Sequence, residues 1–160
     1  MPGEPYLEYA KKEILNFLGK KPLTALFIPY AAVTFSFDQY VEKVQERFSE
    51  IGHRIIGIHT CNDPATAIRQ AEAIVVGGGN TWQLVRMMRD HHLMAPVFER
   101  VSAGIPYIGW SAGANVACPT LRTTNDMPVT DPMGFDTIHL VPFQINPHYL
   151  DVNPGNHSGE

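Results

Sequence analysis

The sequence predicts an α/β protein in which a mostly parallel β-sheet lies between helices. Short apolar runs typical of buried strands alternate with segments whose apolar residues recur at helical spacing. This alternation matches the spacing of β-α-β units, which form parallel sheets covered by helices on both faces. Hydrophobic residues make up 44% of the chain, a normal share for a globular core.

Four apolar runs are predicted to be strands: residues 23–30, 54–59, 73–76 and 105–110. Helices are predicted around them, at residues 8–18, 38–51, 63–72, from 81 onward, and 95–102. Gly19 and Gly52 can stop helices, and Asp63-Pro64 is a typical helix start. The apolar run 138–145 is a further predicted strand.

Composition restricts the class of protein. The chain has 160 residues, a net charge of −4 and a pI near 5.9, which fits one domain spanning residues 1–160. The lack of a basic stripe argues against nucleic-acid binding. No apolar run approaches the roughly 18–20 residues of a membrane helix. With no signal-peptide pattern and only two cysteines, a cytoplasmic location is expected.

The strongest functional motif is Gly109-Trp110-Ser111-Ala112-Gly113, which matches G-x-S-x-G directly after a predicted strand. A serine on a sharp strand-to-helix turn projects out of the sheet, and the flanking glycines leave room for that turn. The N–H of Ala112 can then point at a developing oxyanion. The pattern indicates a nucleophilic Ser111, with a chance small-residue turn as the alternative.

A second glycine-rich segment, Gly77-Gly78-Gly79-Asn80-Thr81, follows the preceding strand. Three glycines let the backbone approach a ligand, and N–H groups at a helix start favour negative charge. The N–H of about Gly79 can supply a second oxyanion donor. Phosphate binding is a rival use, but the segment lacks both GK[ST] and G-x-G-x-x-G. A plain tight turn is the third reading.

A serine nucleophile needs a base, and the chain offers seven histidines. His148 follows the last apolar run and a proline, so it can face the same edge of the sheet as Ser111. His157 is the next candidate. The others are interpreted as structural or solvated side chains: His53, His59, His91, His92 and His139.

A third catalytic residue cannot be chosen from the motifs. Asp126, Asp131 and Asp136 lie between Ser111 and His148, in the Ser-Asp-His order of α/β-hydrolases. Each also has an ordinary role as a turn or cap residue. Neither H-x-x-x-H nor C-x-x-C spacing is present, so no metal site is predicted.

Beyond these motifs, the chain resembles the peptidase E family of α-aspartyl dipeptidases over nearly its whole length. The resemblance is carried by residues 108–128 around the serine and by shorter runs at 27–30, 63–64, 76–81, 144–148 and 157–160. It implies a flavodoxin-like α/β fold related to class I glutamine amidotransferases and to cyanophycinase. It also implies a serine peptidase that removes aspartate from Asp-X dipeptides without a metal or cofactor.

The resemblance also implies residue roles. The expected site has a nucleophile, a base, two oxyanion-hole positions and two substrate-binding residues: Ser111, His148, Gly79, Ala112, Asp126 and Asn80. Asp126 is expected to bind the free amine of the substrate, because a carboxylate pairs well with an ammonium group.

The chain also departs from the family pattern. The family's third catalytic residue, a glutamate, and its aspartate-reading cation would fall beyond Glu160, and its opening strand would precede Met1. The chain is therefore expected to be incomplete at both ends. A homodimer that pairs exposed sheet edges is a possible assembly of such a shortened sheet. One alternative to an active dipeptidase is a catalytically impaired form that acts only as a binding or dimerising module. Another is an esterase-type serine hydrolase with an in-chain aspartate.

Overall fold

The computed structural model describes residues 3–149. Four strands form its sheet: β1 (Thr24–Ile28), β2 (Arg54–Gly57), β3 (Ala73–Val76) and β4 (Tyr107–Gly109). Six α-helices accompany them: α1 (Lys11–Leu18), α2 (Phe37–Glu50), α3 (Pro64–Gln70), α4 (Thr81–Asp90), α5 (Met94–Ser102) and α6 (Ala112–Asn115). Short 3-10 turns cover Glu8–Ala10 and Ile58–Thr60.

All strand pairs are parallel, and the spatial order is β2-β1-β3-β4. This order is the first part of the flavodoxin-like arrangement 2-1-3-4-5, in which ligands bind where the order reverses, between β1 and β3. The predicted α/β fold with a parallel sheet is thus confirmed. The carboxyl ends of β1, β3 and β4 lie along one edge.

Two apolar cores cover the two faces of the sheet. Alternate residues of a strand point to opposite faces. Ala25 and Phe27 therefore pack with α1 and α2, whereas Leu26 and Ile28 pack with the helices of the other face. Every residue of β3 is fully buried because the strand is covered on both sides.

The helix boundaries follow their sequence signals. Ser36 caps α2 in a reciprocal capping box with Gln39. Asp63 accepts a hydrogen bond from Thr66 N, and Pro64 occupies the first helical position of α3. Gly52 takes a positive φ of 83° just after α2.

The prediction of a strand at 138–145 is wrong. Instead of extending a sheet, this segment folds back on the turn after α6. Ile138 N donates to Val116 O at 2.9 Å, and Leu140 N donates to Ala117 O at 2.8 Å. His139 has a left-handed φ of 61°, which is incompatible with a continuous strand, and its side chain is exposed.

The second strand is shorter than predicted. It ends at Gly57, and residues 58–60 turn away from the sheet instead of extending it. Thr60 Oγ1 donates to Gly57 O at 2.7 Å and closes that turn. Between residues 3 and 149, no helix has the length and apolarity that crossing a membrane requires.

Candidate active site

Ser111 lies on a strained turn between β4 and α6. Its φ and ψ are 52° and −113°, in a region that residues with a side chain rarely adopt. Such strain costs about 1–3 kcal/mol and persists only where the surrounding structure imposes it. The strand–turn–helix context and this backbone together give the nucleophile elbow that the motif predicts.

The glycines on either side of Ser111 allow close packing of the turn. A Cβ at Gly113 would overlap the carbonyl oxygen of Val76 at the end of β3. A Cβ at Gly109 would overlap the carbonyl oxygen of Gly113. The turn can therefore sit against β3 only because both positions lack a side chain.

The base predicted from sequence lies beside the predicted nucleophile. Ser111 Oγ and His148 Nε2 are 2.9 Å apart, although the residues are 37 positions apart in the chain. His148 is exposed and Ser111 is half-buried. His148 N donates to Asn146 Oδ1 at 3.3 Å, which helps to fix the turn at Pro147. Within residues 3–149, no carboxylate is hydrogen-bonded to the His148 ring.

The glycine-rich loop after β3 lies against the elbow. A Cβ at Gly78 would be 3.0 Å from Ser111 Cβ. The next residue, Gly79, has a φ of 136°, and there a side chain would overlap the carbonyl oxygen of Ala31. In the described part of the chain, neither Gly79 N nor Ala112 N has a hydrogen-bond acceptor. Both N–H groups are thus available to a ligand.

A chain of hydrogen bonds, not anticipated from the sequence, joins the elbow to the glycine loop. Trp110 Nε1 donates to the Tyr6 hydroxyl at 2.7 Å. That hydroxyl is 2.7 Å from the hydroxyl of Tyr40, which donates to Gly78 O at 3.0 Å. Burial raises the pKa of Tyr40 well above its usual value, so its hydroxyl stays protonated as a donor.

Asp126 lies at the start of α4. Its Oδ2 accepts from Thr81 N at 2.8 Å and from Thr81 Oγ1 at 2.6 Å, while Trp82 Nε1 donates to its carbonyl at 2.9 Å. The carboxylate thus satisfies a donor of the helix N-terminus. Its second oxygen, Oδ1, makes no hydrogen bond within the described residues.

Asn80 is the N-cap residue of α4, and both ends of its side-chain amide are occupied. Oδ1 accepts from Gln83 N at 3.1 Å, and Nδ2 donates to Met127 O at 2.8 Å. These contacts hold the 125–128 segment over the glycine loop. The expected contact between Asn80 and substrate stays a prediction.

The remaining candidates lie elsewhere or have other partners. His53 is buried and bonded to Leu23 N and Gly19 O, as expected of a structural histidine. Asp131 caps Met133 N at 2.9 Å. His157 lies outside the described residues. Within residues 3–149, no group of three His, Cys, Asp or Glu side chains is placed to share a metal ion.

A cleft of about 680 Å³ opens over Ser111 and His148. It is bordered by the glycine loop, by aromatic side chains and by one lysine: Gly78, Gly79, Tyr6, Phe35, Tyr40, Trp110 and Lys43. A second depression shares Gly79 and Phe35 with this cleft and is lined by Asp126. The two depressions therefore adjoin at Phe35 and Gly79.

The fold and this serine–histidine pair define a serine-type hydrolase of the α/β class. The sequence model of the family described as peptidase family S51 matches residues 1–160, and the chain belongs to that family. The peptidase E of Salmonella paratyphi A is 51% identical over 160 residues, which are 100% of this chain and 69% of the relative.

Two solved structures share the fold. A protein of Listeria monocytogenes EGD-e assigned to peptidase E superposes with a TM-score of 0.71 at 24% identity, over 88% of this chain and 74% of that one. A peptidase from an acI-B1 actinobacterium gives a TM-score of 0.59 at 20% identity, over 84% of this chain and 59% of that one. These likenesses confirm the flavodoxin-like architecture.

Proposed function

We propose that this chain is a serine dipeptidase for Asp-X substrates, with Ser111 as nucleophile and His148 as general base. The observation that carries the proposal is the 2.9 Å approach of His148 Nε2 to Ser111 Oγ at a strained elbow. Membership of peptidase family S51 and 51% identity to a peptidase E support the reaction class.

The reaction would proceed by acyl transfer. Ser111 Oγ attacks the carbonyl carbon of the aspartyl residue while His148 Nε2 takes the hydroxyl proton. The N–H groups of Gly79 and Ala112 then stabilise the oxyanion. As the C–N bond breaks, His148 passes its proton to the leaving amine. A water molecule deprotonated by His148 finally hydrolyses the ester, which releases aspartate and restores Ser111.

The position of Asp126 fits a substrate in which the N-terminal residue supplies the acyl group. Its carboxylate borders the depression next to the glycine loop and has one oxygen unused within the described residues. A free α-ammonium group would pair with that oxygen. The scissile carbonyl lies next to this ammonium only in the first residue of a peptide. The cytoplasmic location and the homodimer remain predictions.

The two alternatives have less support. An esterase with an in-chain aspartate would need that aspartate beside His148, but Asp131 contacts Met133 N. The backbone carbonyl of Asp136 accepts a hydrogen bond from Arg89. Within residues 3–149, the Asp136 carboxylate makes no hydrogen bond to His148. A binding module without catalysis would not require the strained backbone of Ser111.

The direct test follows release of aspartate from Asp-Leu by the parent chain, Ser111→Ala and His148→Ala. The parent is expected to release aspartate, Ser111→Ala to be inactive and His148→Ala to lose about 10³-fold or more. His91→Ala serves as control because His91 is exposed, stacks on Tyr30 and does not border the cleft. Activity retained by Ser111→Ala would refute the nucleophile. A folded parent inactive on Asp-Leu would refute the substrate.

A further inference from the structure

Lys43 is the one lysine or arginine that the described residues place around the Ser111 cleft. It projects from α2, and its Nζ lies 5.2 Å from the ring centroid of Tyr6 and 5.6 Å from that of Phe35. Both distances fit cation–π contacts, which hold an ammonium group in place without neutralising it. The Lys43 ammonium is thus positioned at the cleft.

This cation has no carboxylate partner in the part of the chain that the structure describes. One turn along α2, the carboxylate of Glu46 is paired with Arg47 Nη2 at 2.9 Å. Among residues 3–149, neither Asp nor Glu borders the cleft itself. A ligand with a negative group would therefore meet an unneutralised positive charge there.

Asp126 and Lys43 lie on different sides of the glycine loop. Asp126 borders the depression beyond Gly79, whereas Lys43 borders the cleft that contains His148. A general base must reach the leaving amine to protonate it, so the leaving residue has to lie on the His148 side. The ammonium end of a substrate would lie on the Asp126 side.

We propose that Lys43 binds the α-carboxylate of the leaving residue, and so selects dipeptides over longer peptides. This inference rests on the proposed function of the same site. In a dipeptide, the residue after the scissile bond carries a terminal carboxylate that can pair with Lys43. In a longer peptide, the same position holds a neutral amide, and the ammonium group would lose its partner.

Kinetics with Asp-Leu and its C-terminal amide test the assignment. Lys43→Met should raise KM for Asp-Leu by about 10-fold or more, the scale of one charge-assisted hydrogen bond, with kcat nearly unchanged. KM for Asp-Leu amide should stay the same. Lys43→Arg should recover most of the affinity for Asp-Leu. Lys12→Met is the control, because Lys12 is exposed on α1 and does not border the cleft.

Binding to the Ser111→Ala variant separates this inference from the proposed function. Calorimetry should show Asp-Leu bound more tightly than its amide, and Lys43→Met should remove the difference. If the parent chain is inactive yet this pattern holds, the proposed function fails and the carboxylate site stands. If turnover occurs but Lys43→Met changes neither KM nor binding, the inference fails alone. Equal losses on Asp-Leu and its amide would also overturn it, since Lys43 would then not read the terminal carboxylate.

Discussion

Trp110 Nε1 donates a hydrogen bond to the Tyr6 hydroxyl at 2.7 Å, although the residues are 104 positions apart in the chain. Trp110 immediately precedes Ser111, and Tyr6 lies in the N-terminal segment packed beside α2. Through the hydroxyl of Tyr40, the contact continues to the carbonyl of Gly78. The turn at Ser111 and the glycine loop are therefore held by one shared set of side chains.

Removing the hydroxyl of Tyr40 should misplace the glycine loop. Tyr40→Phe loses the bond to Gly78 O and leaves the Tyr6 hydroxyl with one partner fewer. We expect kcat to fall by roughly 10-fold with KM little changed, because the proposed oxyanion donors would act mainly in the transition state. The free energy of unfolding should fall by about 1 kcal/mol.

Tyr30→Phe is the matched control for this variant. Tyr30 is also buried, but in the described residues its hydroxyl makes no hydrogen bond. Its removal should leave kcat and stability at pH 7 nearly unchanged. Equal kcat values for Tyr40→Phe and Tyr30→Phe would contradict a positioning role for Tyr40.

Relief of backbone strain at Ser111 should be measurable apart from catalysis. Ser111→Gly and Ser111→Ala both lack the Ser111 hydroxyl, but only glycine adopts a φ of 52° without steric cost. We expect Ser111→Gly to be more stable than Ser111→Ala by about 1 kcal/mol in urea unfolding. At Ala114, within α6, glycine should instead destabilise by about 1 kcal/mol. A less stable Ser111→Gly would argue against strain at the elbow.

Two substitutions of Asp126 should separate its structural role from substrate binding. Asp126→Asn keeps an oxygen that can accept from Thr81 N and Oγ1, whereas Asp126→Ala removes it. Unfolding should therefore show a loss of about 1–2 kcal/mol for alanine and clearly less for asparagine. Both variants lose the negative charge, so both should raise KM for Asp-Leu. An unchanged KM in Asp126→Asn would restrict Asp126 to its helix-capping role.

Stability at alkaline pH should depend on Tyr30. Burial raises the pKa of Tyr30 to about 12, compared with about 10 in an unfolded chain. Above pH 10 the unfolded state loses this proton before the folded state does. The contribution of Tyr30 is therefore fully present below pH 10 and is lost, at about 1.4 kcal/mol per pH unit, as pH rises towards 12.

Urea unfolding from pH 9 to pH 12 checks this dependence. Tyr30→Phe should lose stability less steeply than the parent chain above pH 10 and match it below. Tyr9→Phe, at a residue that is 67% exposed, should follow the parent profile. Parallel curves for the parent and Tyr30→Phe would contradict the prediction.

The sheet and the elbow could be predicted because their signals are local. Strand β3 is a short apolar run, and the elbow combines a strand, two glycines and a serine within a few residues. The placement of His148 needed a turn at Pro147 and the family resemblance as well. The prediction for residues 138–145 failed because Ile138 is buried in the core and Leu140 packs partly against it without joining the sheet. Apolarity alone does not distinguish such a segment from a strand.

The aromatic network and Lys43 could not be predicted in this way. Which face of α2 meets the glycine loop depends on how the helix packs across the sheet, and that orientation has no local motif. One signal was present: Tyr40 lies on the apolar face of α2, and a buried hydroxyl there needs a partner. The sequence does not say that the partner is the carbonyl of Gly78.

The chain contains two tryptophans, and both are built into the site. Trp110 borders the cleft beside Ser111, and Trp82 donates to the carbonyl of Asp126 at 2.9 Å. All of the indole fluorescence of this chain therefore originates next to the two proposed binding regions. An unlabelled titration would report occupancy directly, and the single variants Trp82→Phe and Trp110→Phe would tell which end of a ligand is being sensed.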